Sequence, residues 1–420
     1  MTWAIYFGTS LLMVIVAYFF FYSFYWMATI LFGVLYKPPK FDSKSSSEVK
    51  DILVLLPAYK PNRFFLTVLE SLTKSIEGQS HIKPIILLQE ASPDLSLAVK
   101  QFDFYTLEKA FSHLSGNPYH HALKFLSAHI AAQTERGIWS PSHVVILDKD
   151  NLVDGDFFHE LEAGFKSGYD LVQGQRLPLA AQNATQSFDA TSEALNDVMF
   201  RAAKSKLGMM LEISGSGFGV RYDIFADAVA GLDGVAPGMD KNLMVGLLKH
   251  NLKSVYNPRA KVFEEKTESE AAIKKQRTRW LGVQYYIAMR YGWQLILFGL
   301  KTGRLSPIDY AISLYRPPRS LQLFVVPILA VAESIILAIY GKLPYSIPGM
   351  LLSLGMLFIA FVLFISHTNG WKNLSAMMFK LPKFALNNLF SMLEGVKSKN
   401  RGKFLHTEHQ ANGANEKRKS

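Results

Sequence analysis

His143-Val-Val-Ile-Leu147 runs directly into Asp148-Lys149-Asp150-Asn151. A short apolar run that stops at a charged turn reads as a buried strand ending in a polar loop. Two earlier runs have the same form. Asp51-Ile-Leu-Val-Leu-Leu56 stops at Pro57, and Pro84-Ile-Ile-Leu-Leu88 stops at Gln89-Glu90. Helical patterning lies between them, from about Arg63 to Ile76 and over most of Tyr105 to Gln133. Strands alternating with helices imply an α/β domain with a parallel-rich sheet, whose ligands sit at the carboxyl ends of the strands. All three runs end in polar residues there.

The turn after the third run carries candidate chemistry. Asp148 and Asp150 are one residue apart on a tight turn, so both carboxylates can enter one crevice. Oxygen ligands of this kind suit Mg2+ or Mn2+, which take few protein carboxylates and complete their shell with substrate phosphates. A solvated acidic turn contains the same residues, and spacing alone does not separate the two readings.

A second constellation is Gln276-Arg277-Thr278-Arg279-Trp280. Helical positions three and four apart share a face, so Gln276, Arg279 and Trp280 project together. That face offers an amide, a guanidinium suited to phosphate and an indole on which a sugar can stack. Between the two lies Asp240, preceded by Gly238 and followed by a helix-like run from Asn242 to His250. Its carboxylate belongs at a helix N-terminus, where an ordinary N-cap also belongs.

The ends of the chain are apolar. Trp3 to Tyr36 carries no charge, which exceeds the roughly 20 residues a spanning helix needs. Leu321 to Tyr340 and Ile347 to Ile365 form a second and third apolar stretch with a short link, hence a hairpin. Lys37, Lys40 and Lys44 follow the first stretch, Arg316 and Arg319 precede the hairpin, and Lys372 follows it. Both asymmetries place the N-terminus outside and the middle region in the cytoplasm. Gln284 to Leu300, with Arg290 inside it, reads as a helix lying at the membrane interface. The net charge of +11 is concentrated beside these segments, where anionic headgroups attract it, and no motif supports nucleic-acid binding. With no cysteine, disulfides and thiolate chemistry are excluded.

Taken in order, His143 to Asn151, Gly238-Met-Asp240-Lys-Asn-Leu243 and Gln276 to Trp280 resemble the motifs of family-2 glycosyltransferases. The resemblance is to the membrane-bound, inverting QxxRW branch, which includes cellulose, hyaluronan and poly-N-acetylglucosamine synthases and ceramide glucosyltransferases. Leu55-Leu-Pro-Ala-Tyr59, Leu171-Val-Gln-Gly174, Gly215-Ser-Gly-Phe-Gly219 and Tyr256 to Phe263 add to it. It covers about Val49 to Trp280, and the anchor and hairpin extend it over most of the chain.

The resemblance implies a GT-A nucleotide-diphospho-sugar transferase domain. It makes Asp240 the general base, and Asp148 and Asp150 the residues that hold the metal, Mg2+ or Mn2+. Pro57, Tyr59, Glu90, Asp148, Gln276 and Arg279 would contact a nucleotide-sugar donor, a UDP-sugar first; Trp280 and Gly217 would contact the acceptor. The implied acceptor is a growing polysaccharide, with a membrane lipid as the alternative and a non-catalytic membrane scaffold as a weaker one. Membrane lipids, an oligomer or accessory secretion proteins are the further partners, and nucleic acid is not one. Three positions depart from the pattern: Met239 stands where an acidic residue is usual, Glu90 or Gln89 where aspartate is common, and Lys60-Pro61 where Asn-Glu is usual.

The expected organisation is a transmembrane anchor (1–36), a linker (37–48) and a cytoplasmic catalytic domain (49–282). Interfacial helices (283–320), a transmembrane hairpin (321–367) and an interfacial helix with a basic tail (368–420) follow, at the inner (cytoplasmic) membrane. His120-His121 are not expected to share a metal, because adjacent helical residues diverge. Glu264-Glu265 reads as a solvated turn. In the 403–409 segment, Thr407 or a neighbouring histidine could contact the diphosphate, or the segment is a plain basic tail.

Overall fold

The computed structural model describes residues 2–41, 48–179, 184–233, 238–264, 270–341, 347–368 and 374–396. Residues 42–47 of the expected linker, Glu265, Lys372 and the 403–409 segment lie outside the described residues. The strands are β1 (Asp51–Tyr59), β2 (Ile82–Gln89), β3 (Tyr105–Glu108), β4 (Pro141–Ile146), β5 (Leu152–Val153), β6 (Leu171–Pro178), β7 (Phe218–Arg221) and β8 (Ser254–Glu264). Around them run α1 (Thr2–Val34), α2 (Phe64–Ser75), α3 (Pro93–Val99), α4 (Pro118–Glu135), α5 (Phe157–Lys166), α6 (Ala184–Asn196) and α7 (Ala203–Lys206). They continue with α8 (Tyr222–Ala230), α9 (Met239–Leu247), α10 (Glu270–Thr302), α11 (Leu305–Leu314), α12 (Arg319–Tyr340), α13 (Ile347–Thr368) and α14 (Leu374–Val396). A π-helical turn, Asp197–Ala202, joins α6 to α7.

The strands form one mixed sheet in the order β3-β2-β1-β4-β7-β6-β8-β5. The first four are parallel, β7 is antiparallel to both β4 and β6, and β6 and β8 are parallel again. Residues 52–58 of β1 are all buried, because helices cover both faces of the sheet. The period of two sorts them: Leu53 and Leu55 enter one core with α4, α8, α9 and α10, while Ile52, Val54, Leu56 and Ala58 enter another with α2 and α5. Each fully buried leucine among them contributes about 1.5–3 kcal/mol. In α2 the buried Phe65, Val68, Leu69 and Leu72 repeat at helical spacing and close the second core.

Two local readings of the sequence are corrected. β1 does not stop before Pro57 but continues through it, paired with β2. Its pairing with β4 ends at Leu55, so Pro57 lacks a neighbour on that side and its missing N–H costs no ladder bond. Within Tyr105 to Gln133, read as mostly helical, the helix begins only at Pro118. Tyr105–Glu108 pairs with Ile85–Leu88 at the sheet edge, and α4 begins where Asn117 caps the Tyr119 N–H and Pro118 takes the first helical position.

Three helices are long and apolar enough to cross a membrane: Ser10–Val34, Arg319–Ile339 and Pro348–Thr368. Val16, Phe19, Trp26 and Ile30 of α1 share a core with Val326 and Ala330 of α12 and Met350, Leu357 and Phe364 of α13. Ile328, Val331, Ile335, Leu352 and Phe358 stay exposed on the outer faces. Glu333, the one carboxylate in the hairpin spans among the described residues, is turned inward and 4% exposed. Tyr22 and Tyr25 of α1 donate to Ile312 O and to an Asp309 carboxylate oxygen, which fixes the anchor to α11. α10 is one unbroken helix. It carries both Gln276–Trp280 and the apolar stretch beyond, so the expected boundary at 282 falls inside it; Gly282 without a proline does not break it.

His143 in β4 gives a testable consequence of this packing. It is 8% exposed and stacks on Phe165, with ring centroids 3.9 Å apart. Burial first, and Arg221 second, push its pKa down to about 4. Because the folded value lies below the unfolded one, its stabilising contribution is full above pH 6.5 and is lost as pH falls toward 4. His143→Phe should reduce the stability lost between pH 7.5 and 4.5 by roughly 2 kcal/mol, as measured by denaturant unfolding at both pH values.

Candidate active site

A cavity of about 530 Å³ opens where the carboxyl ends of β4, β6 and β8 meet the start of α9 and the middle of α10. The turn after β4 is built by its own residues: the Asp148 N–H donates to Asn151 Oδ1 (3.0 Å), and the Asn151 N–H to Asp148 O (3.1 Å). Lys149 leaves on the opposite side and donates to Tyr59 O (2.6 Å) and Lys60 O (3.1 Å), tying the turn to the end of β1. Both carboxylates are therefore left lining the cavity, as the alternating spacing suggests. Tyr119 donates its hydroxyl to Asp148 Oδ1 (3.2 Å).

The charge around this pair is concentrated. Glu264, at the end of β8, is 7% exposed and ion-paired with Arg176 at the end of β6. The reading of Glu264 as part of a solvated turn is thus corrected; the β6–β8 register carries it into the cavity wall. Burial, followed by repulsion from neighbouring carboxylates, pushes the pKa of Asp148 and of Asp150 up to about 6, with Arg176 opposing the rise. A divalent cation would relieve that repulsion, so the donor set fits one. Among the described residues no group of three His, Cys, Asp or Glu forms a complete ligand set. A metal at this turn would draw its remaining ligands from substrate phosphate and water.

Asp240 faces the same cavity from the first turn of α9. It is not the N-cap. Gly238 holds that position, and no side chain caps the helix. Gly238 adopts φ +76°, and a Cβ there would meet Val283 Cγ1 at 2.3 Å. The missing side chain lets the start of α9 press against α10, which brings Asp240 toward Arg279. Burial lowers the Arg279 pKa, while Asp240 and Asp148 both pull it back up, so its guanidinium lies within the field of both carboxylates.

On α10, Gln276, Arg279 and Trp280 all line the cavity, as their spacing predicts. The Gln276 Oε1 is buried without a hydrogen-bond partner, and Trp280 is 44% exposed at the rim. Arg277 lines the cavity too, which the spacing did not indicate, and donates to Asn388 Oδ1 on α14 (3.5 Å).

Four expected contacts do not line this cavity. Pro57 is buried inside β1 and Tyr59 ends that strand. Glu90 follows β2 with φ +53° and pairs with Lys60 at 3.5 Å. Gly217 stands at φ +66°, where a Cβ would meet Val262 Cγ2 at 2.9 Å. Its N–H donates to Ile146 O (2.8 Å) and its carbonyl accepts from the Gly174 N–H (2.9 Å), so it holds β4 beside β6. His120 and His121 diverge as expected, bonding through ring nitrogens to Asp233 O (2.9 Å) and Ser115 O (2.8 Å). Tyr119 and Arg176 escaped the sequence reading, and Glu264 entered it only as a solvated turn. The one available signal was that Arg176 lies two residues beyond Leu171-Val-Gln-Gly174.

Residues 143–371 match the model of a family described as Glycosyl transferase family group 2. Among solved structures the chain is similar to a mannosyltransferase from Pyrobaculum calidifontis in complex with GDP-Man and Mn2+. The two are 14% identical with a TM-score of 0.51, over 92% of this chain and 97% of that one. It is also similar to S. aureus TarS 1-349, at 11% identity and a TM-score of 0.41, over 85% and 93% of the two chains. A third is glucosyl-3-phosphoglycerate synthase from Mycobacterium tuberculosis, at 16% identity and a TM-score of 0.37, over 55% and 78%. At these identities the likeness speaks to fold alone, and the first of the three carries it. No curated protein matches the chain.

Proposed function

The chain belongs to glycosyl transferase family group 2 and has a GT-A fold, and from that premise we propose that it transfers a sugar from a nucleotide-sugar to an acceptor hydroxyl at a membrane face, with inversion. One observation carries the reading: a carboxylate suited to act as base, an acid pair suited to a cation and an arginine in the field of both share one cavity. The P. calidifontis enzyme, solved with GDP-Man and Mn2+, supports a nucleotide-sugar and a divalent ion here as well.

Asp240 takes the proton of the acceptor hydroxyl as its oxygen bonds to the anomeric carbon. The bond from that carbon to the diphosphate oxygen breaks, and the electron pair leaves with the diphosphate. A single displacement inverts the centre. Gln276 and Arg279 hold the diphosphate, and Trp280 stacks on the acceptor at the rim. Asp148 and Asp150 would hold Mg2+ or Mn2+, which when bound neutralises charge on the leaving group. Tyr59, Pro57 and Glu90 serve the nucleotide end outside the cavity, and Gly217 acts on the acceptor side through the loop it shapes. A UDP-sugar is the first donor to test and GDP-mannose the second.

The catalytic domain lies in the cytoplasm at the inner membrane, on the basic flanks of α1 and the hairpin. The resemblance to QxxRW synthases favours a growing polysaccharide as acceptor. A lipid acceptor is favoured by a different observation: the cavity is walled by Pro317, Pro318 and Arg319 at the start of an apolar span, and by Asn388 of α14. Product analysis tests the reading. An α-linked donor should give a β-linked product by NMR, as one glycolipid or a long chain according to the acceptor; an α-linked product would overturn single displacement.

A further inference from the structure

The cavity has two electrical halves. Around Asp240 and the β4 turn, Asp148, Asp150 and Glu264 outnumber Arg176 and Arg279. The other half, between α6, α10 and the start of α12, is basic. Arg201 there is neutralised by Glu193 (2.9 Å) and Asp197. Lys241 and Arg316 share a single carboxylate, Glu212, at 4.0 and 3.8 Å. Arg319 has none within ion-pair distance among the described residues. Its guanidinium donates to the neutral Ser192 Oγ (3.3 Å) and Asn196 Oδ1 (2.7 Å).

Arg319 is partly buried, with Glu193 and Glu212 acting on it only from beyond ion-pair distance. A guanidinium withdrawn from water without a close counter-charge is costly, and an anion arriving beside it recovers much of that cost. The backbone adds to the pull. Arg319 is the first residue of α12, a 22-residue helix whose N-cap, Pro318, offers no capping side chain, so the positive end of the helix is directed at the same place. Ser320, also in the wall, accepts from Asn388 Nδ2 (2.7 Å), and Asn388 accepts from Arg277 (3.5 Å). Arg277 on α10, in the field of Asp189, Arg316 in the turn between α11 and α12, and Arg319 at the start of α12 thus border one pocket. The apolar span begins at Arg319 itself, which sets the pocket at headgroup depth. Arginine clusters beside a helix N-terminus select phosphate.

We infer that this half of the cavity binds a phosphate group carried by the acceptor or its lipid anchor, holding the acceptor hydroxyl toward Asp240. The inference rests on the transferase reading and specifies its acceptor class: a phosphorylated lipid, with a soluble phosphorylated acceptor as the other source of the same group.

Calorimetric titration of the full-length protein in neutral detergent tests it, with dodecyl phosphate, inorganic phosphate and dodecyl maltoside as probes. Dodecyl phosphate should bind, and Arg319→Gln should weaken it at least tenfold, with partial recovery in Arg319→Lys. Saturable binding of inorganic phosphate at equal strength, lost in the same variant, supports the site and assigns it to a soluble acceptor. Equal binding of dodecyl phosphate and dodecyl maltoside, or binding unchanged by Arg319→Gln, overturns the inference. Should Arg319→Gln fail to fold, Arg277→Gln carries the same expectation. Binding is read without a donor, so the two failures separate. Absent diphosphate release with any donor defeats the transferase reading, while absent arginine-dependent binding defeats the phosphate site alone.

Discussion

Asp240→Asn should lower sugar transfer by about 10²- to 10⁴-fold while leaving the protein folded. The geometry separates this outcome from a structural one. A capping aspartate bonds to the backbone of its own helix, and its loss costs about 0.5–2 kcal/mol. Asp240 makes no cap, because Gly238 holds that position and Asp240 lies one residue inside the helix. Its contribution to stability is limited to the favourable charge near a helix N-terminus, about 0.3–1 kcal/mol. The expected signature is therefore a large fall in kcat/KM with a small shift in Tm, read by nucleoside diphosphate release and thermal unfolding. A reversed pattern, with a lowered Tm and unchanged turnover, would leave Asp240 a structural residue.

Asp150→Asn should separate stability from activity in opposite directions. In the folded protein the Asp148 and Asp150 carboxyls are raised to about 6 from 3.8. A carboxyl raised on folding contributes stability that is full below its unfolded value and is lost as pH rises through its folded value. The ligand-free protein at pH 7 therefore holds two charges under mutual repulsion. Removing one should raise its stability by on the order of 1 kcal/mol, since one pKa unit corresponds to about 1.4 kcal/mol and solvent discounts part of the shift. The same substitution removes one of the two carboxylates proposed to hold the metal, so turnover should fall on the order of 10²-fold and Mn2+ should no longer raise Tm. A solvated acidic turn would show neither change. Unfolding with and without Mn2+, beside a turnover assay, reads both.

The parts of this architecture legible in the sequence are those whose cause is local. β1, β2 and β4 announce themselves because a strand buried on both faces must be apolar nearly throughout, and the acidic turn that ends the third run lies in the cavity wall. Asp148 and Asp150 were readable for the same reason, as was the shared face of Gln276, Arg279 and Trp280. The residues that escaped depend on pairings between distant segments. Arg176 and Glu264, 88 positions apart in sequence, meet only because β6 and β8 lie in one particular parallel register. Tyr105–Glu108 is a strand because β2 offers it an open edge, a fact no window around Tyr105 contains. Arg319 read as a topological flank of the hairpin. Its place in the cavity wall follows from how the start of α12 packs beside α6, where Ser192 and Asn196 meet its guanidinium.

The proposed reaction breaks the sugar–diphosphate bond of a nucleotide-sugar in this cavity and hands the sugar to an acceptor through Asp240. The most direct test is nucleoside diphosphate release by the full-length protein in lipid, with a panel of UDP- and GDP-sugars, with and without Mn2+ or Mg2+, beside Asp240→Asn. Metal-dependent release from at least one donor is expected of the wild type, with its near-complete loss in the variant. Release by neither protein from any donor, or equal release by both, would contradict it.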